Sequence, residues 1–138
     1  VMLNAIDGET ERTMTAPCGD VMAQDGNYVQ SVASEFVAIK LGNGAVTPDM
    51  LALDRHAVTV EAPANVTGAQ LIARVKEAAA KGTMANFTFH GIGGDYLTVS
   101  SEAHEELLQY LTSHPDVYWV DTFLNIMKYV KQQQALSE

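Results

Sequence analysis

The sequence predicts an α/β protein with parallel strands, on three observations. Strand-like and helix-like stretches alternate along its second half, which is the order of a layered α/β architecture. Thr67 to Lys81 carries a capping box and one apolar stripe and stops at Gly82, the signature of a helix. The apolar run Ala85 to Phe89 then delivers His90 into a loop holding Gly91, Gly93 and Gly94. Ligands in parallel α/β proteins gather at the carboxyl ends of strands, so His90 is the first functional candidate.

Taken in order, Val1 to Glu11 is short, polar towards its end and holds the turn signal Asp7-Gly8, and reads as the chain entering from elsewhere rather than beginning a fold. Arg12 to Ala16 reads as a strand that ends at the sharp turn Pro17-Cys18-Gly19-Asp20. Tyr28, Val29, Val32, Ala33 and Phe36 recur at helical spacing after Gly26-Asn27, and Phe36 to Ile39 can continue into a strand. Leu41 to Pro48 is loop, Met50 to Leu53 is a brief apolar piece ending at Asp54-Arg55-His56, and Ala57 to Glu61 is extended up to Pro63. Ala85 to Phe89 reads as a strand buried on both faces. Ser100 or Ser101 caps a helix with Leu107, Leu108, Leu111 and His104 on one face. Val117 to Val120 reads as a last strand with Trp119 in the core. Asp121-Thr122 caps a final helix with Phe123, Ile126, Met127 and Val130 inward; Lys128 and Lys131 lie near its carboxyl end and Gln132 onward frays. A small open sheet and part of a barrel both fit this order.

The 138 residues are 47% hydrophobic and 18% charged, enough for a single domain with a core of its own. Eight Lys and Arg stand against 17 Asp and Glu, and a net charge of -9 argues against nucleic acid or an anionic membrane as partner. No apolar run approaches the roughly 18 residues of a membrane span, and any export signal would lie outside this chain. One cysteine, Cys18, excludes an internal disulfide and a multi-cysteine zinc site. The glycines after His90 do not complete Gly-x-Gly-x-x-Gly, so a nucleotide cofactor is not supported. Two glycosylation sequons, at Asn65 and Asn86, carry little weight because Asn86 falls in the expected buried strand.

His90 reads either as a general acid, its tautomer fixed by a carboxylate such as Asp54 or Asp95, or as a strand-end histidine satisfied by backbone. Asp54 follows an apolar run and reads equally as a buried orienting group or an exposed turn aspartate. Asp95 can orient a ligand or only fix its loop. His104 reads as a packed core histidine, and His56 and His114 as loop residues. Cys18 opens a nucleophilic alternative, although its one charged neighbour, Asp20, opposes a thiolate. A glycan-binding or structural module without catalysis is the third reading, with Tyr96 and Trp119 as aromatics able to stack on sugar.

Three stretches resemble the carboxyl-terminal half of the polysaccharide deacetylases, carbohydrate esterase family four. They are Ala16-Pro17-Cys18-Gly19-Asp20, the run Phe89 to Leu97 with Ser101 to Leu108, and Tyr118-Trp119-Val120-Asp121-Thr122-Phe123. The resemblance implies a distorted (β/α) barrel, here its carboxyl-terminal half, and hydrolysis of N- or O-acetyl groups on a poly- or oligosaccharide. It makes His90 similar to the family's general acid with Asp54 orienting it. It makes Pro17, Cys18 and Gly19 similar to a proline-glycine motif lining the acetyl pocket, and Gly91, Asp95 and Tyr96 part of the substrate loop. It also implies a divalent metal, zinc first, whose Asp-Asp and His-x-x-x-His ligand motifs occur nowhere in this chain. The arginine of the proline-glycine motif has no counterpart at its usual spacing, with Arg12 a weak substitute. The expectation is therefore a half barrel without its metal ligands, paired with an amino-terminal half or self-associated because its sheet edges are open. The expected partner is an acetylated carbohydrate, and the expected compartment is periplasmic or secreted ahead of cytoplasmic. The alternative is a non-catalytic glycan-binding or structural fragment of such an enzyme.

Overall fold

The computed structural model describes residues 2–24 and 26–136. They form two units, one from Val1–Leu41, Asp54–Val58 and Thr122–Glu138, the other from Gly42–Leu53 and Thr59–Asp121. Among the described residues the sheets are small and none closes into a barrel. No helix among them is long and apolar enough to cross a membrane.

The first unit is built on parallel pairing. β1 (Thr13–Thr15) lies against β4 (Ala38–Lys40) with Met14 opposite Ile39. Ile39 and Leu41 continue the ladder to residues 55–58: Ile39 N–H donates to Arg55, Val58 N–H to Ile39, and Leu41 N–H to Val58. Ala38, Ile39 and Val58 are fully buried, as β-branched and small residues in a strand closed on both faces should be. Between β1 and β4 come a 3-10 turn (Pro17–Gly19) and a short hairpin, β2 (Met22–Ala23) with β3 (Gly26–Asn27). Helix α2 (Tyr28–Val32) follows, capped by the Asn27 side chain, and runs into a 3-10 turn at Ala33–Glu35. Helix α5 (Phe123–Ala135), capped by Thr122, buries Met127 and Val130.

Both terminal segments hold a helix, and one expectation about them is corrected. The entering segment forms α1 (Met2–Asp7), rich in helix formers and closed where Gly8 takes a left-handed conformation and donates to Asn4. The last helix does not fray at Gln132; it runs on to Ala135, which leaves Lys128 and Lys131 short of its last turn. Lys128 instead pairs with Glu11, and this ammonium holds the Glu11 carboxyl below its usual range.

In the second unit, α3 (Gly68–Lys81) forms as expected, with Thr67 and Gln70 bonded reciprocally and Gly82 left-handed beyond the last turn. It packs on α4 (Ser101–Thr112), capped by Ser100. At Gly68 a Cβ would lie 2.0 Å from a Glu106 carboxylate oxygen, so the missing side chain is what lets the two helices approach. Leu71, Val75 and Leu107 form the core between them, and Phe87, Phe89, Tyr110, Leu111 and Tyr118 pack around it.

The expected central strand is a bridged extended segment rather than a full strand. Residue 85 pairs antiparallel with 46, and residue 87 pairs parallel with 61. Its side chains are mostly half-buried, with Asn86 buried and donating from Nδ2 to the Thr59 carbonyl at 3.0 Å. Two further expectations are overturned. Leu108 is 46% exposed because it stands about 100° around α4 from buried Leu107. Residues 117–120 form no strand: Val117 and Tyr118 donate back to His114 in a turn, and Val117, Trp119 and Val120 stay exposed, with no paired strand beside them among the described residues.

Candidate functional site

His90 is exposed, immediately after the extended segment and immediately before β5 (Gly91–Ile92). The chain then makes a tight excursion and returns as β6 (Thr98–Val99), which pairs parallel to β5 with Gly91 opposite Thr98. So short a parallel return needs unusual backbone, and residues 93, 95 and 97 all have positive φ. Gly91 is required sterically, because a Cβ there would meet the Gly94 carbonyl oxygen at 2.4 Å. Gly93 donates to the Val99 carbonyl and Gly94 to the Thr98 hydroxyl. Asp95, at φ 77, accepts the Tyr96 amide on its carboxylate at 2.8 Å. That bond makes Asp95 a loop-fixing residue. Tyr96 is 75% exposed at the tip.

His90, Gly91, Asp95 and Tyr96 are thus brought together by one loop of the second unit. Behind it, His104 is half-buried on α4 with its ring edge-on to Phe89 at 4.9 Å, the packed histidine expected from its helix face.

The other candidates belong to the first unit. Pro17, Cys18 and Gly19 form the turn at the carboxyl end of β1, where Cys18 is exposed with φ 54 and Gly19 has φ 71. A Cβ on Gly19 would stand 2.8 Å from the Leu41 carbonyl oxygen, so glycine here lets the ends of two parallel strands meet. Asp54 is an exposed turn carboxylate: it accepts the His56 amide at 2.8 Å and lies 4.0 Å from His56 Nδ1, while His56 Nε2 is bonded to the Phe36 carbonyl.

Two features escaped the sequence reading. Lys40, ending β4, sits with its ammonium 4.7 Å from the centre of the Phe123 ring, and burial lowers its pKa. The apolar stretch Ala38-Ile39-Lys40-Leu41 is the signal that marks it. The second feature is an open cleft of about 610 Å³ in the second unit, between the last turn of α4 and residues 115–120. Its wall is steadied by Tyr118, whose hydroxyl lies 3.2 Å from that of Tyr110; this bond pushes the Tyr118 pKa up to about 12. His114 closes α4 through Nδ1 at 2.7 Å from the Tyr110 carbonyl, its ring 4.3 Å from the Tyr110 ring.

Among the described residues no group of three or more His, Cys, Asp and Glu side chains could hold a metal ion, so the residues present do not fit the divalent metal that the resemblance implies. Comparison with family models, curated proteins and solved structures finds no match to the chain.

Proposed function

We propose that this chain is the histidine-bearing, carboxyl-terminal portion of a polysaccharide deacetylase-like hydrolase, whose substrate is an acetylated carbohydrate. The observation that supports the reading is the placement of His90: exposed, at the carboxyl end of a segment bridged on both sides, and directly before a loop whose tightness depends on Gly91. In this role an imidazolium N–H of His90 passes its proton to the departing amine or alkoxide as the bond to the acetyl carbon breaks, leaving neutral imidazole. Tyr96 at the loop tip offers a ring to a sugar face. The resemblance assigns acetyl-pocket roles to Pro17, Cys18 and Gly19; the orienting role it assigns to Asp54 is not kept, because that carboxylate is exposed and accepts the His56 amide.

A metal ion and its ligands would have to come from residues outside this sequence, and the proposal includes pairing with an amino-terminal half that carries an Asp-Asp pair and a His-x-x-x-His, or self-association. The test is acetate release from an acetylated oligosaccharide by the paired protein. In that complex His90→Ala lowers turnover by roughly 10²–10⁴-fold, and a loss under about threefold removes His90 from the general-acid role. If native mass spectrometry and acetate assays find neither pairing nor release, the chain is a glycan-binding or structural piece.

A further inference from the structure

The sequence holds six asparagines, and Asn43 is the one followed by glycine. Asn43 and Gly44 are both exposed and both have positive φ, 77° and 130°. A Cβ on Gly44 would meet nothing within 4 Å, so the space beside its backbone is open. The bonds that tie this turn to its neighbour are long: Gly44 N–H donates to the Val60 carbonyl and Val60 N–H to the Gly42 carbonyl, each at 3.4 Å. Elsewhere in the same unit, Thr47 N–H to Met84 and Asn86 N–H to Ala45 are both 2.8 Å. The Gly44 amide proton is therefore weakly held. The other asparagines are placed differently. Asn4 donates from its side chain to Glu9, Asn27 caps α2, Asn86 is buried and bonded to Thr59, and Asn125 lies in the first turn of α5. Asn65 is the close comparison, being exposed with φ 53, but the residue after it is Val66, β-branched and packed against the Leu71, Val75 and Leu107 core.

We propose that Asn43-Gly44 is a self-modification site, at which the chain's own backbone converts residue 43 to aspartate and isoaspartate. The Gly44 nitrogen gives its proton to solvent and bonds to the side-chain carbonyl carbon of Asn43. The bond from that carbon to the side-chain nitrogen breaks, and ammonia leaves with a proton taken back from solvent. A cyclic imide remains. Water adds to one or other of its carbonyls and reopens the ring, giving aspartate, or isoaspartate in which the backbone runs through the side-chain carbon. Glycine favours the attack because no side chain on the next residue obstructs the approach of its nitrogen. Either product adds a negative charge to a chain whose net charge is already -9. Isoaspartate also lengthens the backbone ahead of Gly44, which draws its N–H away from Val60 and loosens the turn that opens the second unit.

The test is prolonged incubation of the folded 138-residue chain in mildly alkaline buffer, followed by ammonia release and peptide mass mapping. Isoaspartate is detected by methyl transfer from S-adenosylmethionine with an isoaspartyl methyltransferase. The peptide holding residue 43 is expected to lose its amide first, as a mixture of the two acids, while Asn65 keeps its own. Asn43→Gln, at an exposed position, is expected to lose the ammonia and the methyl label that come from this peptide. The same incubation in urea reads the unfolded sequence, so that protection by the fold is visible even if the variant folds poorly. Hydrogen exchange at the Gly44 amide is expected to be faster in the converted protein than in fresh protein, with the α3 amides unchanged. Conversion in urea but not in the folded chain overturns the proposal, as does loss at Asn65 ahead of Asn43 or a methyl label in this peptide that survives Asn43→Gln. Unchanged exchange at Gly44 after conversion overturns the loosening of the turn.

Discussion

Residues 85–89 and 117–120 carry the same kind of sequence and meet opposite fates. Ala-Asn-Phe-Thr-Phe and Val-Tyr-Trp-Val are both apolar, aromatic and β-favouring. The first is bridged on one side to residue 46 and on the other to residue 61, and lies over the Leu71, Val75 and Leu107 core. The second stays irregular and exposes Val117, Trp119 and Val120. Strand propensity states which residues suit a pleated surface. Tyr118 reaches the same core as Phe87 and Phe89, so what separates the two segments is a neighbouring edge to pair with, and that edge is supplied from elsewhere in the chain.

The comparison can be tested by removing support from each side of it. The largest effect is expected for Leu71→Ala, which empties a fully buried site under the bridged segment and should cost about 2–5 kcal/mol in urea unfolding. Phe87→Ala, whose ring is half-buried 5.9 Å from that of Phe89, should cost less, about 2 kcal/mol. Trp119→Ala should stay within about 0.5 kcal/mol of the parent. A loss at Trp119 as large as that at Phe87 would mean that Trp119 is packed as Phe87 is, and the contrast between the segments would collapse.

The smallest effect concerns Tyr118. Its raised pKa means that the neutral phenol is favoured in the folded protein, so its stabilising contribution is fully present below pH 10 and is lost as pH climbs towards about 12. Ultraviolet titration should show one tyrosine ionising late, and Tyr110→Phe should return it towards its ordinary value of 10.0. A late phenol that persists in the Tyr110→Phe protein would place the cause elsewhere.

What was legible in the sequence was local. Thr67 with Gln70 and Gly82 bound α3 within their own chain segment, and Ser100 and Thr122 do the same for α4 and α5. The parallel order of the first unit was also legible, because a crossover segment separates Thr13–Thr15 from Ala38–Lys40. The loop after His90 could be found from its glycines, but its construction could not. Gly91 is needed for a contact with Gly94 that only folding creates, and Asp95 spends its carboxylate on the Tyr96 amide. Asp54 shows the same limit: an aspartate after an apolar run fits burial and turn equally, and the His56 amide decides for the turn. The cleft beside Trp119 was illegible because it exists only where an expected strand did not form.

The loop after His90 has one more consequence. Three left-handed residues, a glycine pressed against a carbonyl, and ties from Gly93, Gly94 and Tyr96 leave its backbone few alternative shapes. If the proposed role of His90 holds, a ligand reaching it would meet a loop that needs little further ordering. The freezing of a mobile segment, which commonly weakens association, has been completed during folding, and binding there draws on little further loss of chain freedom.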